Sequence, residues 1–388
     1  MKSIFDLAST ASLFFGAGKR TLLPKLLAGY GKRILLVRGG SSFDTSGFGK
    51  EIVRSLEEAG FDIHQCTIAS EPTPAMIDIA VEESGHDVPS AVLAIGGGSV
   101  LDAGKAISAM LPLRQPVRDF LEGVGNRSHP GRKIPFVAVP TTAGTGSEAT
   151  KNAVLSEVGE NGFKRSLRHN NFVPDAAIVD PELTISLPGN VTAASGMDAF
   201  TQLLESYVST NANPVTDALA LEGLALIGRS LIKTYESPAD VNARTDMSLA
   251  AYLSGVTLAN AGLGLVHGYA SSVGGRYNIP HGVICSGVMY ASNVVTVRKL
   301  SNEGRNESLK KFALAGQAVS GVSGRSSEYL IDALLVFIKT SASQMRIPTL
   351  FSEGVQEKDV NAIAAVTDEK YNPVKLSTDE KREVLMMS

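Results

Sequence analysis

The sequence predicts a two-part molecule: an α/β region with a doubly wound parallel sheet over residues 1–183, then an all-helical region over 184–388. Three observations predict it. The chain has 388 residues, more than the roughly 250–300 at which a single core stops growing. Its first half alternates short β-branched runs with amphipathic stretches, the pattern of strands joined by crossover helices. Beyond Thr184 the strand pattern almost vanishes and helical periodicity recurs to the end.

In order, RILLVRG (33–39) reads as a buried strand ending in glycine, and SGFGKEIVRSLEEAG (46–60) has helical spacing. FDIHQCTI (61–68) reads as a strand and TPAMIDIAVEESG as a helix. AVLAIGGG (91–98) and IPFVAVPTT (134–142) are two further strands. In the second half, NVTAASGMDAFTQLLESYVS, NPVTDALALEGLALIGRSLIKTY, NARTDMSLAAYLSGVTLANAG, RNESLKKFALAGQAV and SSEYLIDALLVFIKTSASQM each repeat with helical period, with breaks at Asn213-Pro214 and Pro280. No internal repeat is evident.

Composition narrows the partners. Hydrophobic residues make up 44% and charged residues 19%, a globular balance. The net charge is −3 without a basic block, which argues against nucleic acid. No run approaches the ~18–20 apolar residues that span a bilayer, and MKSIFDLASTASLFFGAG makes a poor signal peptide, so no membrane partner is expected. Cys66 and Cys285 stand far apart in the chain and form no metal-type pair, which suits a reduced, cytoplasmic setting.

Two glycine-rich loops follow strands. In AIGGGSVLDAGKAIS (94–108) a buried strand runs through Gly96, Gly97, Gly98 and Ser99 into a helix. Glycines admit a phosphate close to the backbone, and helix-terminal amides point positive charge at it. The competing reading is a plain tight turn. In VAVPTTAGTGSEAT (137–150), hydroxyls at Thr141, Thr142 and Thr145 suit either ribose and phosphate contacts or helix capping. FGAGKRTLL (15–23) begins like a dinucleotide fingerprint but has Thr21 where a third glycine belongs, so it reads as an ordinary turn. In the helical half, Asp198 and Gln202 are four residues apart and share a helix face. His267 and His281, the only histidines after residue 169, flank a span broken by Pro280. Two imidazoles and a carboxylate suit a divalent cation such as Zn²⁺ or Fe²⁺, although spacing alone does not show that they meet.

Together these segments resemble the iron-containing (group III) alcohol dehydrogenase family, along the whole chain. Gly96-Gly97-Gly98-Ser99, Asp102 and Lys105 match its GGGSxxDxxK, and Pro140 to Glu148 match PTTxGTGSE. PDAAIVDPEL (174–183), GMDAFTQLLESYVS, NPVTDALAL and the paired histidines of GLGLVHG…PHG match further family segments. The resemblance implies a dehydroquinate synthase-like fold, with an N-terminal nucleotide-binding domain and a C-terminal helical domain. It implies hydride transfer between a nicotinamide dinucleotide and a small alcohol or aldehyde, and a homodimer or larger assembly. Gly96 to Ser99 and Asp102 would hold the pyrophosphate and nicotinamide side, and Thr141, Thr142 and Thr145 would line the cofactor. Lys164 and Leu183 would lie near its ribose and adenine. Asp198, His267 and His281 fall on metal-ligand positions, with the two histidines also the candidate catalytic groups.

The departures are specific. The family's second ligand histidine is Gln202 here, a further histidine is Ser271, and a leucine-proline pair is Met289-Tyr290. An amide oxygen binds Fe²⁺ or Zn²⁺ far more weakly than imidazole. Three readings remain open: a metal held by Asp198, His267 and His281, which is favoured; Gln202 completing the shell; or metal-free reduction in the manner of the related maleylacetate reductases. An acidic residue at the end of the strand 33–38 would select NAD through the ribose 2′-OH. That strand ends instead in Gly39, Gly40 and Ser41, like the loops of NADPH-using members, so NADP is expected over NAD. A sugar-phosphate cyclase of the dehydroquinate-synthase type is the runner-up enzyme, disfavoured by Ser99 and Lys105. A binding protein that has lost catalysis is the alternative outside enzymes.

Overall fold

The computed structural model describes residues 4–84, 87–159 and 162–388. Among them eight strands occur, all before Asp180: β1 (Ser12–Phe15), β2 (Arg33–Arg38), β3 (Asp62–Thr67), β4 (Ala91–Gly96), β5 (Phe136–Pro140), β6 (Asn152–Glu157), β7 (Phe163–Arg168) and β8 (Ala176–Val179). Six form one sheet in the order β1-β8-β5-β4-β2-β3, with every neighbouring pair parallel. Its central strands are apolar on both faces. Leu35 and Val37 of β2 pack with Val92, Ala94 and Phe136 on one side, while Ile34 and Leu36 pack with Leu93, Ile95 and Val137 on the other.

Helices cover both faces, which is why these strands read as continuous apolar runs. α1 (Leu23–Leu27) and α3 (Gly47–Glu58) bury Leu23, Leu27, Ile52 and Leu56 on the Ile34 side. α4 (Pro74–Glu83) and α5 (Gly98–Met110) bury Ile77, Val81, Leu101 and Ile107 on the Leu35 side. The short α2 (Ser41–Thr45) follows β2 directly. From β2 the chain runs outward to β3, then returns across β2 to β4. The carboxyl ends of β2 and β4 therefore border a topological switch point, where open α/β sheets bind their ligands.

Four strands go beyond the sequence reading. β1 and β8 are four residues each, and the antiparallel hairpin β6–β7 contains the charged run Phe163–Arg168. β1 is a short edge and the hairpin is polar, so both lack the apolar signature of a central strand, while β8 is apolar and lies between β1 and β5 but is only four residues long. The turn at 15–23 is ordinary, with Gly18 and Arg20 held by the Asp180 carboxylate.

Nine helices follow among the described residues: α6 (Gly189–Val208), α7 (Pro214–Glu236), α8 (Val241–Ala261), α9 (Leu265–Gly274), α10 (His281–Asn302), α11 (Asn306–Ser320), α12 (Ser327–Gln344), α13 (Val360–Val366) and α14 (Thr378–Met386). The expected breaks are caps. The Asn213 side chain accepts from the Val215 and Thr216 amides at the start of α7, and Pro280 directly precedes α10. α6 is the axis of this half, buried at every residue from Gly196 to Val208 and packed on α7, α8 and α10. Gly262, at φ 73°, ends α8, and the chain bends by 97° into α9. No single helix among the described residues is long and apolar enough to cross a membrane.

The two halves meet along a seam of backbone. Gly146 adopts φ +61°, and a Cβ built on it would lie 2.5 Å from the Gly255 Cα in α8. A Cβ on Gly255 would lie 2.3 Å from the Gly146 carbonyl oxygen. Only two glycines can make this crossing.

Candidate active site

A cavity of about 600 Å³ lies between the sheet and the helices. From the sheet side it is lined by Glu71, Gly98, Ser99, Asp102, Thr145 and Lys164; from the helical side by Gln202, His267, Ser271, His281 and Lys370. Both expected groups thus share one space. Gly39, Gly40, Ser41, Gly96, Gly97, Thr141, Thr142 and Leu183 do not line it. Gly39 to Ser41 follow β2 at the switch point, the Thr141 amide donates to the Gly96 carbonyl at 2.9 Å, and Leu183 is buried in the core against the sheet.

On the sheet side the backbone shapes the site. A Cβ on Gly98 would come within 2.5 Å of Thr145 Cγ2, so the first turn of α5 presses directly on the second loop. Lys105, wholly buried, fixes that loop from below, donating to the Ser147 carbonyl at 2.8 Å, Thr150 Oγ1 at 3.0 Å and the Asn152 carbonyl at 2.8 Å. The motif lysine is therefore a strut between the two loops. Asp102 Oδ2 accepts from the Val154 amide at 3.0 Å, while its Oδ1 is buried with no hydrogen-bond partner. Such an orphaned acceptor calls for a donor from a bound molecule.

One group on this wall escaped the sequence reading. Glu71 accepts from Ser99 Oγ at 3.1 Å and from Lys164 Nζ at 3.0 Å. Burial alone would raise its carboxyl, but the Lys164 ammonium together with the Ser99 hydrogen bond and His281 holds it below the usual range. The signal was Glu71's place just past the end of β3, on the ligand side of the sheet.

On the helical side the site is made of side chains. Asp198, Gln202 and Glu205 lie on one face of α6 and are all buried, at 2%, 3% and 6% exposure. The bend into α9 brings His267, 4% exposed, over that face. Gly282 lets the start of α10 touch α6, since a Cβ there would sit 2.2 Å from the Ala194 carbonyl oxygen, and this sets His281 beside Asp198. Asp198 Oδ1 is 3.4 Å from His267 Nε2 and 3.6 Å from His281 Nε2, yet has no hydrogen-bond partner of its own.

Glu205 holds His267 from behind. One carboxylate oxygen accepts the Val266 amide at 2.6 Å, and the other is 2.7 Å from His267 Nδ1. Burial would lower the His267 imidazole, but Cys285, Asp198 and Glu205 around it hold it well above its usual range, so without a cation the ring keeps both protons. A cation at Nε2 would replace the one facing Asp198, as in carboxylate–histidine–metal triads. Burial pushes the His281 imidazole down to about 4, so it is neutral at pH 7 and offers a lone pair. Burial would likewise raise Asp198, but the two histidines and the Gln202 amide hold it below the usual carboxylate range. A buried, ionised carboxylate with an unpartnered oxygen between two imidazole nitrogens fits a divalent cation.

Gln202 behaves differently from the other expected ligands. Its Oε1 accepts from Ser254 Oγ at 2.7 Å. The amide's other end supports Asp198, which as a carboxylate only accepts, so the end turned to it is the NH₂ group. Cys285 supplies what the sequence reading lacked. Fully buried one turn after His281, its Sγ lies 3.9 Å from His267 Nε2 and 3.7 Å from His281 Nε2. Asp198, His267, His281 and Cys285 each place a ligand atom within 4.8 Å of the others.

Comparison with known proteins bears on the whole chain. The sequence model described as iron-containing alcohol dehydrogenase matches residues 10–181, and that of the Fe-containing alcohol dehydrogenase family, C-terminal, matches residues 192–386. An NADPH-dependent butanol dehydrogenase of Clostridium saccharobutylicum is 31% identical, covering 96% of this chain and 95% of its own. An NAD-dependent methanol dehydrogenase of Bacillus methanolicus is 33% identical, covering 86% and 85%. Among solved structures, a 1,3-propanediol oxidoreductase superposes with a TM-score of 0.88 at 28% identity, covering 99% of each chain.

Proposed function

The chain belongs to the iron-containing alcohol dehydrogenase family and is an NAD(P)-dependent oxidoreductase of alcohols and aldehydes; on that premise we propose which residues do the work. The dinucleotide lies along the switch point, its phosphates on the Gly96–Ser99 turn and its nicotinamide turned into the cavity toward His267 and His281. Asp102, with its orphaned Oδ1, takes a donor from that end of the cofactor, and Thr141, Thr142 and Thr145 flank it. Lys164 and Leu183 lie toward the ribose and adenine. The observation that carries this reading is the single cavity lined by Gly98, Ser99, His267 and His281 together. Reactants held in one such space meet without a further search.

Asp198, His267 and His281 hold a divalent cation. That cation would supply Lewis-acid polarisation of the substrate oxygen. The protein's own part is positional: Glu205 fixes the His267 ring and Asp198 contributes the charge. In a metal-free reduction, His267 or His281 would instead be the proton donor to the forming alkoxide.

NADP is the favoured dinucleotide. Arg38 closes β2, and Asp44, in the short helix α2 that follows, is paired to Arg38 at 2.9 Å. A 2′-phosphate would therefore meet a guanidinium and the Ser41 hydroxyl, with the nearby carboxylate already neutralised. A cytoplasmic homodimer or larger assembly belongs to the same reading. The test is elemental analysis of the purified protein, then aldehyde reduction with NADPH or NADH before and after chelation. Bound metal, a rate lost on chelation and recovered with Fe²⁺ or Zn²⁺, and a higher kcat/KM for NADPH are expected. Full activity in chelated protein would remove the metal, and a kcat/KM for NADH equal to or above that for NADPH would reverse the cofactor preference.

A further inference from the structure

We propose that the Cys285 thiolate is the fourth ligand of the divalent cation, taking the coordination corner that Gln202 cannot fill. The proposal rests on the metal-centre reading above and deepens it. The chemistry at position 202 comes first. A carboxylate beside it and a serine hydroxyl beyond it orient the amide so that its NH₂ faces Asp198, and NH₂ has no lone pair to donate. Gln202 is thus a positioning residue for Asp198.

The remaining corner is occupied. Ligands held tetrahedrally at ~2.0–2.3 Å from a zinc ion lie about 3.3–3.6 Å from each other. The four measured edges are 3.4 Å (His267 Nε2 to Asp198 Oδ1), 3.6 Å (His281 Nε2 to Asp198 Oδ1), 3.7 Å (Cys285 Sγ to His281 Nε2) and 3.9 Å (Cys285 Sγ to His267 Nε2). All lie within a few tenths of an ångström of that spacing. The longest edges are those to sulfur, the largest donor. Asp198 Oδ1, one corner of that set, is buried with no hydrogen-bond partner of its own.

The position on the helix is equally constrained. His281 and Cys285 are four residues apart in the first turns of α10, which stacks their side chains on one face. On binding, the thiol gives its proton to solvent and ligates as thiolate. One carboxylate and one thiolate then balance a divalent charge, with two imidazoles, His267 having released its Nε2 proton, as the other ligands. The substrate oxygen would enter as a fifth neighbour, an expansion that zinc accepts. Thiolate with imidazole in tetrahedral array is the donor set of zinc, so the site would take Zn²⁺ and its spectroscopic substitute Co²⁺.

The experiment is cobalt substitution of the chelated full-length protein, read by absorption, with X-ray absorption of the zinc-loaded wild type beside it. A near-ultraviolet sulfur-to-cobalt charge-transfer band is expected, together with one sulfur scatterer at ~2.3 Å from zinc. In C285S the band should vanish while the weaker visible cobalt bands persist, and zinc affinity should fall by more than the ~10–100-fold that loss of an outer partner costs. Should C285S fail to fold, the wild-type scattering alone decides. Stoichiometric cobalt or zinc with only nitrogen and oxygen neighbours would overturn the cysteine ligand and leave the metal centre standing. A protein that takes up neither metal would overturn both.

Discussion

The two walls of the cavity are built by opposite means. The sheet wall is shaped by backbone: Gly98 and the amides at the start of α5, with Gly96 and Gly97 in the turn behind them, and a second loop pressed against Gly98 through Thr145. The helical wall is side chains: four ligand atoms from α6, α9 and α10 that converge only because a 97° bend and a glycine contact bring the helices together. A backbone site is encoded by one continuous stretch and fails when a side chain is added. A side-chain site is scattered through the sequence and fails when one is removed.

Opposite failures can be tested from the largest effect downward. Asp198→Ala should strip the metal and lower kcat/KM by about 10³-fold, since several kcal/mol of charge stabilisation go with it, while NADPH affinity stays unchanged. Metal retained at full stoichiometry would break the contrast at its strongest point. Gly98→Ala should do the reverse. Its Cβ would lie 2.5 Å from Thr145 Cγ2, and the displaced loop should raise the NADPH Kd about 100-fold, or roughly 2.7 kcal/mol, with metal content intact. Binding titration and elemental analysis of the same sample read both. Glu205→Gln removes the charge behind His267 and should weaken metal affinity by ~10–100-fold, again without touching the dinucleotide.

The smallest effect concerns the loop beneath the cofactor. Burial pushes the Glu148 carboxyl up to about 7, above its unfolded value. The native state thus holds a proton that the unfolded chain has lost. Stability from this group is complete below about pH 4.5, falls as pH rises, and is gone above about pH 7. Glu148→Gln should therefore stabilise the protein by on the order of 1–3 kcal/mol at pH 8. At pH 5 it should change little. Urea melts at the two pH values read the difference; equal gains at both would show that the carboxyl is ionised throughout.

The same contrast explains what could be read in advance. The order of sheet half and helical half was legible, because buried parallel strands and amphipathic helices each write their own period. Gly96 to Ser99 were legible because strand, turn and helix are contiguous there. The hairpin Asn152–Glu157 and Phe163–Arg168 was not, since its two strands lie outside the main sheet and the second is a charged run with one fully buried residue, Leu167. Glu71 meets Lys164 from 93 residues away, and Glu205 meets His267 from 62. Each alone is an unremarkable charged residue. Cys285 was hidden most deeply: a cysteine without a cysteine partner suggests packing, and only its place one turn beyond His281 hinted otherwise.

The glycine crossing at 146 and 255 has a bearing on rate. With no side chain between the two main chains, the thickness of that joint would, on the placement proposed above, bear on how far the hydride donor stands from its acceptor. A methyl group added there would act as a shim, and a displacement of ~1 Å between reacting groups can cost about 10²-fold in turnover. The smallest residue in the chain, used twice at one point, thereby sets the gauge of the reaction.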